Sequence, residues 1–421
     1  MGRELFAFCL PFRKSILELD AVYETITGSS LLKSTALFTD ALKDPKDTLG
    51  DLWPISITLP ALTMLQLALV DALSAVGVKP DIVVGHSAGE TSVLAASGSG
   101  SRAMAMELAI ARGRALALVE HAKGTMAAVS CSPKDARAII DEIQSELGDG
   151  VLTIGCYNTS SAVTLSGAEL HIDAAVAKAS ARGIFARKLR TRVPVHSSLM
   201  EGCREEFKAL ATEVFARHPI IAPSVETYST VTGHALDRPF DAAYFWDGTI
   251  GPVLFHDAIS ALSSRHRNAT FVEIGPHPAL ASYLIGRGST SMVTCPLRRP
   301  RAAEVGVEVR EFVRALGKIV TAGHSCVEFD VLFSQASGRE RKRIKVPPYP
   351  FAPKVVPWVI QSPEVSRQRQ NRNGPMNYQQ LAMNTKTHPG LADHVIKGEP
   401  IMPAAGFIEM VGPSSYASSW D

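Results

Sequence analysis

A short apolar strand that runs into a glycine-flanked serine constrains this chain more than any other feature. Residues 82–84 read Ile-Val-Val, and residues 85–89 follow at once with Gly-His-Ser-Ala-Gly. A G-x-S-x-G segment between a strand and a helix is typical of a nucleophile elbow, a sharp turn that exposes the serine hydroxyl. Upstream, residues 58–76 place apolar side chains three and four apart, which predicts one helix face packed on a core. The order helix, strand, turn, helix predicts an α/β fold with a doubly wound parallel sheet.

A second pattern interrupts the first. Between residues 126 and 190 the apolar periodicity predicts a strand, a helix, two strands, a helix and a strand, at 126–130, 134–147, 151–157, 161–166, 169–182 and 184–190. This βαββαβ order is ferredoxin-like. We therefore expect a hydrolase-like large unit of residues 1–123 and 197–300, a small subdomain of residues 124–196 inserted in it, and a substrate cleft between the two.

Composition excludes several classes of partner. The chain has 421 residues, and its 43 Lys and Arg nearly balance its 41 Asp and Glu, so no overall field favours nucleic acid or an anionic membrane. The apolar stretch 59–76 is interrupted by Gln66 and Asp71, and we expect it not to span a membrane. The six cysteines lack the paired spacing of a zinc site or a disulfide framework. We expect a reducing, cytoplasmic location and no metal.

A nucleophilic serine needs a base, and twelve histidines compete for that role. His196 lies where the small subdomain is predicted to return to the large unit, beside the cleft. Its plain alternative is to cap the helix predicted to begin at Ser197. The backbone N–H of Ala88, at the start of the helix after Ser87, is the first candidate donor to an oxyanion.

Arg112 is the most informative charge. It falls on the apolar face of the helix predicted over 101–121, together with Met104 and Leu108. A buried guanidinium demands an anion. That anion is either an internal Asp or Glu or the carboxylate of a substrate, which arginine can clamp with two parallel hydrogen bonds.

Four ordered motifs carry a resemblance to a known family. They are Gly-His-Ser-Ala-Gly-Glu at 85–90, Ala-Arg-Gly at 111–113, His-Ser-Ser-Leu-Met at 196–200 and Glu-Ile-Gly-Pro-His-Pro at 273–278. Together they resemble the malonyl/acyl-CoA:acyl-carrier-protein transacylases, the acyltransferase domains of type I synthases. The sequence around these motifs is similar to that of the fungal highly reducing polyketide synthases.

The resemblance implies a role for each matching residue. Ser87 would be the nucleophile, His196 its base and Arg112 the ligand of a malonyl carboxylate. It adds Gln66, His86 and Ala88 as substrate contacts, and Gly248 as the residue whose backbone carbonyl orients His196. Malonyl-CoA would be the substrate, with no tightly bound cofactor. The partners would be the phosphopantetheine of an acyl carrier protein and the ketosynthase and dehydratase domains of the parent synthase.

The C-terminal part resembles the segments that follow such a domain. Residues 301–360, with Val-Pro-Pro-Tyr-Pro-Phe at 346–351, would be the linker after the acyltransferase, and the polar residues 361–387 a flexible linker. Residues 388–421 are similar to the start of a dehydratase hotdog domain, with His394 as its catalytic histidine in an incomplete site.

The same comparison shows departures. The family's Gly-Gln-Gly-x-Gln turn would stand just before Met1, and the second half of a dehydratase would follow residue 421, so we expect a chain cut at both ends. Two alternatives therefore stay open: a serine hydrolase of the esterase type, which the elbow alone supports equally, and a catalytically impaired synthase fragment. The sequence leaves malonyl and methylmalonyl undecided, because Val-Pro-Val-His at 193–196 matches neither of the tetrapeptides that usually distinguish them.

Overall fold

The computed structural model describes residues 1–39, 49, 52–285, 292–301, 304–331 and 393–404. The chain divides into two compact units, Met1–Lys342 and Arg343–Asp421. The helices of the first unit are α1 (Arg3–Phe8), α2 (Leu10–Thr27), α3 (Leu31–Thr35), α4 (Ile55–Ala75), α5 (Glu90–Ala96), α6 (Arg102–Ala117), α7 (Pro133–Leu147), α8 (Glu169–Ala181), α9 (Arg204–Arg217), α10 (Ala242–Ile250), α11 (Phe255–Arg265), α12 (Ala281–Leu284) and α13 (Val307–Thr321). Its strands are β1 (Ile82–Val84), β2 (Gly124–Val129), β3 (Leu152–Thr159), β4 (Ala162–Ala168), β5 (Ala186–Lys188), β6 (Glu226–Tyr228), β7 (Phe271–Val272) and β8 (Val293–Thr294).

Helix α4 is the centre of the large subdomain. It packs against α2 and α6, and α9 covers the other side of α6. Met64, Ala68 and Leu69 have no exposed surface. By length and composition α4 could also cross a membrane, but 56% of its most apolar window is buried inside the protein. A core helix of this kind passes the same test, so α4 gives only weak evidence for a membrane span.

The parallel strands are short. Strand β1 pairs in parallel with β6, with Ile82 opposite Glu226 and Val84 opposite Tyr228. Strands β7 and β8 form a second parallel pair. The sequence predicted one doubly wound parallel sheet. Among the described residues, these strands form two separate parallel pairs, and each strand holds only two or three residues. Both β1 and β6 end at the same edge, which is where ligands gather in such folds.

The small subdomain has the predicted βαββαβ order. Its antiparallel sheet runs β3-β4-β2-β5, so the first and third strands in sequence are the two central ones. Helices α7 and α8 pack on this sheet through a core of their own that includes Ile139, Ile143 and Ile172 beneath Leu165. The insertion is therefore ferredoxin-like, with a hydrophobic core separate from that of the large subdomain.

Helix α13 lies within residues 301–360, which the sequence predicted as a linker. One face of this helix is buried in the first unit. Hydrogen bonds join its first turn to the first turn of α1. Glu308 accepts from the backbone N–H of Gly2 at 2.6 Å and of Glu4 at 2.9 Å, and Glu4 accepts in return from Gly306 and Glu308. Residues 307–321 are thus part of the first unit. The rest of the domain boundaries stay a prediction, and the linker 361–387 lies outside the described residues.

The second unit is described only at residues 393–404. There β9 (Val395–Ile396) pairs with β10 (Glu399–Pro400) in an antiparallel hairpin. Lys397 and Gly398 in its turn have positive φ angles of 54° and 85°.

Candidate active site

Ser87 and His196 are 109 positions apart in the chain and meet in the structure. Ser87 Oγ lies 2.7 Å from His196 Nε2. Both residues have positive φ angles, 53° for Ser87 and 64° for His196, although neither is glycine. Such conformations cost energy and cluster where a side chain must be held in one place for a function. The strain on both sides of one hydrogen bond makes this pair the candidate chemical centre.

The elbow depends on Gly85. A Cβ atom at this position would lie 2.8 Å from the Cα, N and Cδ atoms of Glu90, which is closer than real Cβ contacts come. Only a glycine lets the end of β1 pack directly on the first residue of α5. Ser87 is then the first residue of the 3₁₀ turn Ser87–Gly89 that leads into α5.

The ring of His196 is oriented by the backbone beyond α10. Its Nδ1 lies 2.9 Å from the carbonyl oxygen of Gly251, and its own backbone N–H donates to the carbonyl of Thr249 at 2.8 Å. A carbonyl can only accept, so Nδ1 carries the proton and Nε2 presents its lone pair to the Ser87 hydroxyl. This is the tautomer that a general base needs.

The carbonyl within hydrogen-bond distance of the ring belongs to Gly251, and the role expected for the Gly248 carbonyl stays a prediction. Helix α10 ends at Ile250, and Gly251 is its C-terminal cap. Burial lowers the pKa of His196 to about 3, and the Gly251 carbonyl is the strongest of the groups that oppose this effect. The Gly248 carbonyl also raises this pKa, with a smaller effect.

Arg112 is buried without a counter-ion in contact. The residue is 5% exposed. One terminal nitrogen donates to Thr91 Oγ1 and the other to Thr249 Oγ1, at 3.4 Å, while Nε is buried without a partner. Desolvation lowers its pKa to about 10, and the nearby charge of Glu90 is the largest opposing effect.

The internal ion pair that the sequence left open for Arg112 is not made. Within the described part of the chain, no carboxylate lies within the 4.0 Å of an ion pair with its guanidinium. Its carbon Cζ lies 5.9 Å from the centroid of the Phe245 ring, a weak cation–π contact. The site therefore contains a buried cation whose Nε–H group has no hydrogen-bond partner among the described residues.

Comparison with known proteins identifies the family. A sequence profile described as "Acyl transferase domain" matches residues 1–317, which include Ser87, Arg112 and His196. The chain belongs to the acyl transferase domain family.

The relatives of this acyltransferase chain are much longer proteins. It is 42% identical over 426 residues to the highly reducing polyketide synthase stpks1 of Strobilurus tenacellus, a match that covers 100% of this chain and 15% of that synthase. It is 28% identical over 423 residues to the low-reducing polyketide synthase drtA of Aspergillus calidoustus, covering 93% of this chain and 17% of the other. The chain thus spans under a fifth of the length of these relatives.

Solved acyltransferase domains share the fold. The acyltransferase domain from the second module of the salinomycin polyketide synthase is similar with a TM-score of 0.66 and 28% identity, over 81% of this chain and 75% of that domain. A loading acyltransferase of the avermectin synthase gives a TM-score of 0.66 and 25% identity, over 76% and 95%. The α/β acyltransferase fold predicted from the sequence is confirmed.

Two predicted substrate contacts of the acyltransferase bind other parts of the protein. The Gln66 side chain donates to the carbonyl of Ile274 at 3.1 Å and accepts from Ser92 Oγ at 2.7 Å, so it ties α4 to the end of β7 and to α5. His86 Nε2 lies 2.8 Å from Asn158 Oδ1 on β3, and burial lowers its pKa. Both residues flank the serine turn, and their contact with substrate stays a prediction.

Ala88 occupies the position expected for an oxyanion donor. It is the second residue of the turn Ser87–Gly89, directly ahead of α5. The first N–H groups of a helix have no partner inside the helix and carry its positive end. The role of the Ala88 N–H as an oxyanion donor stays a prediction.

A cavity lies away from the serine–histidine pair. It has a volume of about 510 Å³ and is lined by residues from the two segments that join the subdomains, among them Lys123, Thr125 and Arg190. Four basic and two acidic side chains line it, and one of the basic ones, Lys188, binds Glu169 at 2.7 Å and Asp173 at 2.8 Å. Neither the serine nor its base lines it. Among the described residues no cluster of three or more His, Cys, Asp or Glu side chains is placed to hold a metal ion.

His394 falls in the second unit. It is exposed, and its Nδ1 lies 2.8 Å from the carbonyl oxygen of Ile401 across the β9–β10 hairpin. Its assignment to a dehydratase stays a prediction.

Sequence reasoning missed the threonines that hold Arg112. Thr91 directly follows the serine motif, and Thr249 follows Gly248, which was selected for another role. A buried arginine on an apolar helix face was the available signal for such partners, but spacing alone does not tell which hydroxyl reaches it.

Proposed function

We propose that this chain moves a malonyl group from coenzyme A to the phosphopantetheine thiol of an acyl carrier protein through an ester on Ser87. The observation that carries the proposal is the Ser87–His196 hydrogen bond of 2.7 Å in a family of acyltransferases. The buried Arg112 without a counter-ion supports the choice of an acid as the acyl group.

The first half-reaction forms the acyl-enzyme. His196 Nε2 takes the proton of the Ser87 hydroxyl as Oγ bonds to the thioester carbon. The negative charge passes to the carbonyl oxygen, where the Ala88 N–H donates a hydrogen bond. When the tetrahedral intermediate collapses, the C–S bond breaks, and His196 returns the proton to the departing CoA sulfur.

The second half-reaction runs the same steps in reverse order. The carrier-protein thiol gives its proton to His196 and attacks the ester carbon, and the Ser87 oxygen leaves and recovers the proton. The Gly251 carbonyl keeps the ring in the required tautomer in both halves. Ping-pong kinetics are expected.

Arg112 supplies the selectivity in this proposal. A malonyl group ends in a carboxylate, whose charge would compensate a guanidinium that has lost its hydration and lacks an ion-pair partner. An acetyl group offers no such charge. The proposed preference is for malonyl over acetyl thioesters.

The test is mass spectrometry of the intact protein after brief incubation with malonyl-CoA or acetyl-CoA. Expected is an adduct of one malonyl group on Ser87, absent in Ser87→Ala, with malonyl preferred over acetyl. Arg112→Ala should lose that preference. Arg114→Ala is the matched control, because Arg114 lies on the same helix but is exposed and donates to the carbonyl of Ile26 at 3.0 Å. Folded wild-type protein without an adduct would overturn the proposal and support an impaired fragment.

The esterase alternative has a distinct signature. His196 is oriented by a backbone carbonyl, whereas an esterase triad orients its histidine with a carboxylate. Rapid release of free malonate without transfer to a thiol acceptor would favour the hydrolase.

The proposal includes the setting of the reaction. An acyl carrier protein and the other domains of a polyketide synthase are the proposed partners, as suits a chain whose relatives are multidomain synthases. All six cysteines have free thiols, which favours a reducing compartment, and we propose the cytoplasm.

A further inference from the structure

A buried carboxylate lies directly behind the elbow and takes no part in the proposed chemistry. Glu90 is the first residue of α5 and is 4% exposed. Its Oε1 accepts from the N–H of Thr230 at 3.0 Å and from the Thr230 hydroxyl at 2.6 Å, and its Oε2 lies 2.9 Å from the hydroxyl of Tyr244. A buried carboxylate is costly unless hydrogen-bond donors compensate for its lost hydration, and here three donors bind one carboxyl group.

The direction of these hydrogen bonds follows from the protons available. Tyr244 has one hydroxyl proton but two oxygen neighbours, Glu90 Oε2 and Ser229 Oγ, the latter at 2.8 Å. Ser229 Oγ already accepts from the N–H groups of Val231 and Thr232, so its own proton is free to go to Tyr244. The order is therefore Ser229 to Tyr244 to Glu90. We call Ser229, Thr230, Tyr244 and Glu90 the Glu90 network.

The Glu90 network joins the two elements that hold the reacting groups. Glu90 follows the serine turn without a break, and its Cα and N lie against Gly85. Tyr244 is in α10, whose C-terminal end binds His196 through Thr249 and Gly251 and binds Arg112 through the Thr249 hydroxyl. The distance from nucleophile to base thus depends on how α5 lies relative to α10.

Thr230 adds a third point of attachment. It follows β6, the parallel neighbour of β1, and its carbonyl accepts from Leu254 N at 2.7 Å, just beyond Gly251. The carboxyl group of Glu90 is therefore bound from both the strand edge and the helix that surround the site.

We propose that Glu90 is a positioning residue for acyl transfer, which fixes the elbow of Ser87 against the helix that holds His196 through its hydrogen bonds to Tyr244 and Thr230. This inference rests on the proposed function. Small displacements of reacting groups are costly in rate, up to about 100-fold for 1 Å. Loss of the Glu90–Tyr244 bond should slow the chemical step and leave the preference for malonyl intact, because Arg112 keeps both threonines.

The central variant is Tyr244→Phe, which removes one hydroxyl and keeps the ring. Tyr228→Phe is its matched control: Tyr228 is also buried, and its hydroxyl also binds a carboxylate, that of Glu226 at 3.0 Å, which lies outside the Glu90 network. We expect Tyr244→Phe to lower the rate of Ser87 malonylation about tenfold, with the KM for malonyl-CoA unchanged within twofold. Tyr228→Phe should match the wild type.

Two further variants separate positioning from a general loss of structure. Glu90→Gln can still accept from Thr230 and can donate its amide to Tyr244, so it should keep more activity than Glu90→Leu. Thr230→Val removes one donor with little change of shape and should give a smaller loss than Tyr244→Phe. The reaction of Ser87 with a small fluorophosphonate, which needs the serine and its base but no acyl-CoA, should fall in the same order across the set.

The outcomes are distinct. Equal malonylation rates for Tyr244→Phe and Tyr228→Phe, at equal folded fractions, would overturn the positioning role while the wild-type adduct upholds the proposed function. A Tyr244→Phe variant that keeps its rate of fluorophosphonate reaction but loses the malonyl preference would also overturn it. The Glu90 network would then position Arg112 and not the elbow of Ser87. A wild type that forms no adduct on Ser87 while reacting with fluorophosphonate refutes the proposed function itself.

Discussion

His196 is held uncharged by its surroundings. In an unfolded chain a histidine has a pKa near 6.5, and burial lowers that of His196 to about 3. Between these values the unfolded chain binds a proton that the folded protein does not bind, so stability rises with pH. The imidazole is thus neutral throughout the physiological range, which leaves the lone pair of Nε2 free to face the Ser87 hydroxyl.

This arrangement predicts a pH dependence of stability. From pH 5 to pH 6.5 the free energy of unfolding should increase by up to about 1.4 kcal/mol per pH unit on account of His196 alone. His196→Asn should show a smaller slope over that interval in urea titrations. Identical slopes in the two proteins would contradict the lowered pKa.

Arg112 predicts a conflict between stability and function. Its guanidinium is buried with Nε unpaired and without an ion-pair partner, and a buried charge without such a partner is costly. Arg112→Met should raise the free energy of unfolding by about 1 kcal/mol, as measured by chemical denaturation, while abolishing the malonyl preference. A destabilised variant would contradict this prediction. It would mean that the positive charge of Arg112 stabilises the buried Glu90 carboxylate more than the hydrogen bonds of Glu90 do.

At the scale of elements, the junction of β1 and α5 leaves no space for a side chain. Gly85→Ala would place a Cβ 2.8 Å from the backbone of Glu90. We expect a loss of about 1–3 kcal/mol of stability and of nearly all acylation of Ser87. Thermal unfolding and the mass-spectrometric assay measure both effects.

Gly317 provides the control for that substitution. It lies inside α13 with nothing within 4 Å of an added Cβ. Gly317→Ala should stabilise the protein by about 0.5–1 kcal/mol, because alanine loses less backbone entropy in a helix. If both variants behaved alike, the steric account of the elbow would be wrong.

For the whole molecule, α13 decides where the folded unit ends. Phe312 and Leu316 are buried, and Glu308 caps the first turn of α1. A chain that stops at residue 301 should lose its cooperative unfolding transition and its acylation by malonyl-CoA. A chain that stops at residue 342 should retain both, as calorimetry and mass spectrometry can establish. If the two chains unfolded and were acylated alike, residues 307–321 would be part of the linker and not of the folded unit.

The small subdomain is connected to the rest through the site itself. His86 binds Asn158 on β3, and Ser87 binds His196 at the return of the chain to the large subdomain. The separate core of the insertion allows it to be a unit of its own, while these contacts set its position over the elbow. The position of the insertion and the alignment of Ser87 with His196 are therefore linked.

The sequence determined the elements and the chemistry of single residues. Apolar periodicity located α4, β1 and the βαββαβ insertion, because side-chain spacing of 3.6 or 2 residues reflects burial on one face. The glycines around Ser87 predicted a tight turn, and an arginine on an apolar helix face predicted a buried cation. These are properties of short segments, and neighbouring residues suffice to specify them.

Only the tertiary structure decided which distant groups meet. It joined Ser87 to His196, placed the Gly251 carbonyl 2.9 Å from the His196 ring, and surrounded Arg112 with Thr91 and Thr249 instead of a carboxylate. It also gave α13 to the folded unit and bound Glu90 to Tyr244, 154 positions away. Hydrogen bonds between remote segments depend on how helices and strands pack, and packing is a property of the whole core that no local pattern encodes.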